Sequence, residues 1–465
     1  MERPDIDVRG GAGGIEAELV DIDLLGRSST GLAEVLASTD VICRGMLADP
    51  DLLASAVLHP AGAARFDADL VAALDGPQGL SALAVTFAAR AATLRGAAAA
   101  YAAADAALAD LADTLDWAQG FFWPVTVTAV LVEGGARLLT DPVGTTDDAA
   151  ALVDDPQRWI TEHPGVVDEG MGSLPGVGSS VSALVPTAGI WLGGADVRSA
   201  ARRLGQLWPD GTPVVTTLPD DDLPAAAVVP RNVTDLLTAL DRRATRSTAR
   251  TDQIDVRVLT HADGTRAYVV DIPGTAEWNL PSGTVNPQTH DLGTSVRVLG
   301  GDVTTRQAAI AEALRRAGAG PADPVMLVGH SQGGMVAVQA ASDAGTPAFD
   351  FDVRSVVTAG SPIARTEVPS SVQVLALENE HDIVPRLDSR ENDDDANVTT
   401  VTFDVQHGTV AGNHGMATAY RYGAEAVDRS DAPSIAAFRA SAEPFLARPG
   451  EDATVVTHVY SIGRR

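Results

Sequence analysis

The chemistry in this chain concentrates around Ser331. Residues 324–328 (PVMLV) are a short apolar run, Gly329-His330-Ser331-Gln332-Gly333 follows with a further glycine at 334, and residues 332–342 then have helical character. A strand that turns sharply into a helix through G-x-S-x-G lifts the serine hydroxyl above the sheet edge. Bulky side chains at the flanking glycines would clash in so tight a turn. The amide of Gln332, at the helix start, then faces the place where negative charge develops on an attacked carbonyl. The expected chemistry is nucleophilic attack by Ser331 on an acyl carbon.

A serine nucleophile needs a base, and the base needs an orienting acid, expected here in the chain order Ser, Asp or Glu, His. The apolar run before residue 379 leads into Glu380-His381-Asp382-Ile383-Val384-Pro385, which places Asp382 just past a strand end. Glu378 and Glu380 are its rivals. Three histidines lie downstream of the serine in loops: His381, His407 and His414. His381 is next to Asp382 in sequence, too close to point at it from the far side. His407 ends a strand. His414 lies in the Gly-rich AGNHGMATAY, which can fold an imidazole back over Ser331, and is taken as the base. His330 is expected to pack below the nucleophile and against substrate.

A second oxyanion donor is expected after an earlier strand. Tyr268-Val-Val-Asp-Ile272 followed by Pro273-Gly274-Thr275 fits, with Thr275 offering its N–H. The irregular stretch 276–293 is long enough to line or cover a site, and its Trp278 is either an acyl-chain contact or a buried core residue.

These residues need a scaffold, and the pattern supplies one. From about residue 253 strands alternate with helices: strands at 254–260 and 266–271 joined through HADG, a helix at 304–317, strands at 324–328, 353–359, 372–377 and 398–405, with the helix after Ser331 among them. That alternation implies a mostly parallel sheet covered on both faces. Upstream, residues 1–165 read as all-helical and Ala/Leu-rich. Ile15, Leu19 and Ile22 have helical spacing, and Phe87, Leu94, Tyr101 and Leu108 recur every seven residues with alanines between them. DGPQG at 75–79 turns the chain, so a helical hairpin or bundle is expected. Residues 166–250 read as a connecting segment, with a Gly/Ser-rich stretch at 170–182, helices at 197–207 and 233–244, and Asn232 as N-cap of the second. The catalytic domain is expected over 251–465.

Composition narrows the partners. The chain carries 33 basic against 62 acidic side chains, a formal charge of −29, which repels phosphate backbones and argues against nucleic acid. Cys43 is alone and cannot form an intrachain disulfide. The N-terminus lacks a Sec-type signal pattern, and no uninterrupted apolar run of membrane-spanning length occurs. The nearest, FFWPVTVTAVLV at 121–132, reads as a buried element or, alternatively, a peripheral membrane contact. The protein is therefore expected to be cytoplasmic or exported without such a signal. The acidic run Glu391 to Asp395 reads as a solvated loop rather than a calcium site.

Four motifs carry a resemblance to the α/β-hydrolase superfamily, and within it to class 3 (fungal-type) lipases: PGT at 273–275, GHSQGG at 329–334, VVTAGSP at 356–362 and HDIVPRL at 381–387. The likeness covers roughly residues 255–425. It implies Ser331, Asp382 and His414 as a triad, with Thr275 and Gln332 as the oxyanion hole. Two positions depart from that family: Gln332 stands where leucine is usual, and Pro273 where arginine is usual. The N-terminal helices resemble helical-hairpin substrates of actinobacterial type VII secretion through Tyr101-x-x-x-Asp105, without a W-x-G turn before it. The function expected is hydrolysis of small-molecule or lipid esters, needing no metal or organic cofactor. The alternative is an interaction protein with an idle hydrolase-like domain that binds a protein partner, or acts as an exported effector, through its helices.

Overall fold

The computed structural model describes residues 5–121, 156–162, 164, 167–168, 171, 196–219, 228–248 and 250–465. Contacts group residues 16–110 into one compact unit, and residues 1–15 with 111–465 into another. This grouping differs from the divisions expected at 165 and 250. The helix Val233–Ala244, placed by sequence in a connecting segment, is part of the layer that covers the sheet.

Among the described residues, the larger unit is built on nine strands: β1 (Ile6–Gly10), β2 (Pro213–Thr217), β3 (Asp252–Thr260), β4 (Arg266–Ile272), β5 (Pro324–His330), β6 (Asp352–Ala359), β7 (Gln373–Asn379), β8 (Val398–Phe403) and β9 (Thr454–Arg464). Their order is β1-β8-β7-β6-β5-β4-β3-β9-β2. Strands β4 to β8 pair in parallel, and β3, β9, β2 and β1 complete the sheet in antiparallel pairings. The parallel strands are apolar on both faces because helices cover both. In β5, Val325 and Leu327 pack with the helices Thr305–Arg316 and Gln332–Ser342, while Met326 and Val328 pack on the other face with Val233–Ala244 and Arg421–Arg429. This is the α/β-hydrolase-type architecture.

Three strands escaped the sequence reading: β1, β2 and β9. Ile6–Gly10 is a strand inside the region expected to be all helical. Its Ile6/Val8 alternation is only five residues long, too short to stand out, and the edge of β8 decides it by pairing from Ile6 with Phe403 to Gly10 with Thr399. The C-terminal β9 inserts between β3 and β2, a long-range pairing with no local signature.

The unit 16–110 contains the helices Ile15–Met46, Pro50–Leu58 and Pro60–Asp75 and most of Leu80–Phe121. The covered stripe on the first helix runs Leu19, Ile22, Gly26, Ser29, Ala33, Leu36, Asp40, Cys43, a heptad spacing. On the last it runs Ala84, Phe87, Ala91, Leu94, Ala98. Phe87 and Leu94 of the expected stripe are thus covered, alternating with small residues, while the side chains of Tyr101 and Leu108 lie outside the described residues. A Cβ on Gly26 would lie 2.6 Å from Arg95 Cγ, so the two helices approach closely there. Arg44, near the end of the first helix, hydrogen-bonds Asp40, Asp75 and Ser81, beside the start of the last. The stretch Pro60–Ala100 is long and apolar enough to cross a membrane by length and composition, with 11% of its apolar window buried. Arginines at 65, 90 and 95 interrupt it in sequence, so a search for unbroken apolar runs passes over it. The side chains of Tyr101 and Asp105, and residues 122–132 and 172–182, lie outside the described residues.

Two buried carboxyls report on the packing. Asp271 faces Arg257 at 2.7 Å, and burial nevertheless pushes its carboxyl up to about 6. Asp388 accepts from the Ala364 amide at 2.8 Å. Burial raises it to about 7 against the pull of Arg365, and nearby Glu378 adds to the rise. A carboxyl that holds its proton more tightly when folded stabilises the fold below its unfolded pKa, and that contribution is lost as pH rises through the folded value. We expect Asp388→Asn to remove part of the stability loss that the wild type shows between about pH 4 and about pH 7. Urea denaturation across that range, comparing the slopes of the two proteins, checks this.

Candidate active site

The elbow is set by three close approaches. A Cβ on Gly333 would meet the Ile272 carbonyl at 1.9 Å, one on Gly329 would meet Gly333 at 2.4 Å, and one on Gly334 would meet Ser361 Oγ at 2.1 Å. With no side chains in the way, the chain turns from β5 into the helix Gln332–Ser342, and Ser331 is forced to φ 54°, ψ −126°. Only one other described non-glycine residue, Ser389, has a positive φ. Such a conformation costs of order 1–3 kcal/mol and persists only where the surroundings fix it. Here the Ser331 N–H donates to the Ala359 carbonyl of the neighbouring strand at 2.9 Å, and the Ser331 carbonyl accepts from Gly334 at 3.0 Å.

Asp382 and His414 meet. His414 Nδ1 lies 2.6 Å from Asp382 Oδ2. The acid is buried and fully engaged: Oδ1 accepts from the Val384 amide at 3.0 Å, and Oδ2 also accepts from the Tyr420 hydroxyl at 2.7 Å. Tyr420 is buried on a widened helical turn, Met416–Tyr420, directly after the histidine loop. Its phenol pKa is raised by burial and by the adjacent carboxylate, which keeps it a donor. Two buried asparagines tie the loops after β7 and β8 together. Asn379 Nδ2 donates to the carbonyls of Val405 and Asn413, and Asn413 Nδ2 donates to the carbonyl of His381. Sequence reasoning missed Tyr420, Asn379 and Asn413. A polar residue inside an apolar strand end, as at 379, is the signal that could have found the first asparagine.

His330 stacks on His414 with ring centroids 4.4 Å apart, and its Nε2 donates to the His414 carbonyl at 2.9 Å. Burial and the facing imidazole push its pKa down to about 3, so it stays neutral beneath its partner. The rivals go elsewhere. His381 bonds Asp404 at 3.0 Å and the Thr161 carbonyl, and His407 bonds the Thr418 carbonyl. Glu378, raised to about 7 by burial, accepts from Asn392, and Glu380 is exposed. In the acidic run, Glu391 pairs with Arg9 and Asp393 with Arg390.

Ser331, His414, His330, Thr275, Gln332 and Trp278 all line one cavity of about 1050 Å³. Among the described hydrogen bonds none links Ser331 Oγ to His414. Such contacts are often open without substrate and close in the complex. The Gln332 amide stands at the positive end of an eleven-residue helix. The Gln332 side chain is buried and fully bonded, accepting from Arg306 at 2.6 Å and donating to the Asp291 carbonyl and Ser295 Oγ. That accounts for an amide where leucine is usual. Trp278 is 73% exposed, so it sits at the cavity rim rather than in the core.

Residues 288–414 match the model of the PGAP1-like alpha/beta domain family. That span begins just before the helix Leu292–Leu299 and ends on His414, so it contains the elbow, the acid and the histidine together. Neither the curated proteins nor the solved structures contain a match to the chain. The match supports the α/β-hydrolase-type fold. The narrower likenesses, of this region to class 3 lipases and of the N-terminal helices to type VII substrates, rest on their motifs alone.

The elbow makes a steep demand on residue 333. We expect Gly333→Ala to destabilise the protein by at least about 1–3 kcal/mol, the usual penalty for forcing atoms into a filled space, because the added methyl would overlap a strand carbonyl. The midpoint of urea unfolding measures it.

Proposed function

We propose that this chain is a serine hydrolase that cleaves carboxylic esters of uncharged, apolar acyl groups. The observation that carries the reading is the His414–Asp382 contact at 2.6 Å in the cavity that also receives Ser331 from its positive-φ elbow. In the first step His414 Nε2 takes the Ser331 proton as Oγ attacks the ester carbonyl. The carbonyl π electrons move to oxygen, and that oxyanion is met by the amides of Gln332 and Thr275. Collapse expels the alcohol, which leaves with the proton from His414. Water then repeats the sequence on the acyl-enzyme and releases the acid. Asp382 holds Nδ1–H in place and stabilises the imidazolium, and its own carboxylate is fixed by the donors at Val384 and Tyr420.

The lining supports the substrate class. Leu292, Val296, Leu299, Met335, Ile383 and Val384 surround the site, with Trp278 at its rim, and no Asp, Glu, Lys or Arg occurs among the described lining residues. A carboxylate or phosphate drawn into such a cavity would lose its hydration without a partner. An acyl chain gains about 0.8 kcal/mol for each methylene buried.

We expect Ser331→Ala to cut turnover of p-nitrophenyl esters by about 10³-fold or more, and Asp382→Asn by a comparable factor. A fluorophosphonate probe should label the wild type at Ser331. A folded protein that takes no label, or keeps full activity without Ser331, would sink the proposal. With the wild type, lengthening the acyl group from acetate to hexanoate should raise kcat/KM on the order of a hundredfold, from four buried methylenes. An ester whose acyl chain ends in a carboxylate should lose that gain.

A further inference from the structure

Behind the two amides assigned to the oxyanion lies a closed ring of buried and half-buried polar groups. Arg306, on the first turn of the helix Thr305–Arg316, is fully buried. One arm of its guanidinium donates to Gln332 Oε1 at 2.6 Å, and the other donates to the Pro273 carbonyl and to Asp252 Oδ1, each at 3.0 Å. Pro273 immediately precedes Gly274 and Thr275, so holding its carbonyl fixes the peptide plane that leads to the Thr275 amide. The ring closes on its far side through Ser295. Gln332 Nε2 lies 2.7 Å from Ser295 Oγ, and Ser295 Oγ lies 3.3 Å from Thr275 Oγ1. Asp252 is anchored in turn by the Thr289 hydroxyl at 2.6 Å and faces His290 Nδ1 at 3.4 Å.

We propose that Arg306 and Ser295 are positioning residues that lock the Thr275 and Gln332 amides at the spacing the oxyanion requires. This rests on the hydrolase reading above and adds to it the residues that set its transition-state geometry. Burying a guanidinium and a carboxylate carries a heavy desolvation cost before their mutual attraction is counted, and an apolar side chain of similar volume commonly serves stability as well. What an apolar side chain cannot do is bond the peptide carbonyl of one segment and the side-chain amide of another at once. Arg306 bonds both segments through one planar fork, the turn after β4 and the head of the nucleophile helix, and Ser295 joins the same two segments on the far side. Oxyanion donors act through such preorganisation, and loss of one costs about 10²–10³ in kcat.

The test uses the full chain and three variants: Arg306→Lys, which keeps the charge but not the fork, Ser295→Ala, and Gln332→Leu. Each is assayed for kcat and KM on the hexanoate ester, for inhibition by a trifluoromethyl ketone that forms a hemiketal oxyanion on Ser331, and for binding of an unreactive ether of the same shape. The expected result is a fall in kcat of about 10- to 100-fold, a fraction of a lost donor's effect, with KM and ether affinity within about twofold. Trifluoromethyl ketone inhibition should weaken by the same factor as kcat. Equal losses in ether and ketone binding would mark a merely structural role and overturn the proposal, as would unchanged kcat in all three. Should Arg306→Lys not fold, half-buried Ser295 decides the matter. Wild-type turnover that depends on Ser331, together with unaffected variants, defeats this inference alone. Absence of Ser331-dependent turnover in the wild type defeats both.

Discussion

A left-handed serine between two glycines that admit no side chain is the constraint from which the rest of the larger unit follows. Ser331 cannot hold φ 54° on its own account. It is held because β5 is clamped between parallel neighbours on both sides, because its amide is bonded to β6, and because the following helix presses against the end of β4 so tightly that Gly333 would meet the Ile272 carbonyl with any Cβ. The apolar residues that alternate along β4, β5 and β6 provide the burial that offsets the strain. A looser sheet would let the turn relax and the hydroxyl drop from the rim.

The groups that surround the serine are fixed by a different kind of force. The loops after β7 and β8 have no regular pairing to hold them, and their geometry is set by buried side-chain bonds from Asn379, Asn413 and Tyr420. On the opposite side of the nucleophile the turn after β4 is set by Arg306 and its partners. Buried networks of this sort add little net stability when complete and cost heavily when one member is lost. Their contribution is uniqueness, since a polar ring closes in only one arrangement whereas apolar packing tolerates several.

Charge is distributed with the same economy. The chain as a whole is strongly acidic, yet the cavity beside Ser331 holds no charged side chain among its described lining residues. Among acidic groups near the acid loop, Glu391 is paired with Arg9, and Glu378 and Asp388 are raised in pKa by burial. The helical unit 16–110 follows a simpler rule: small residues at heptad spacing let two long helices approach, and Arg44 fastens one end.

The local pattern of this chain already determined its class of fold, the elbow at Ser331, the strand ends that carry Asp382 and His414, and the hairpin stripe through Phe87 and Leu94. Each of these depends on the alternation of a few neighbouring residues or on a turn that only glycine can make, so the information is contiguous. Tertiary structure alone decided the rest. It made a strand of residues 6–10, inserted β9 between β3 and β2, and separated His414 from His381 and His407 by giving each a different partner. It also chose Tyr420, Asn379 and Arg306 as supports. Those outcomes depend on which edge is left unpaired and which lone pairs are left buried once distant segments meet. That is a property of the packed molecule, and no stretch of sequence contains it.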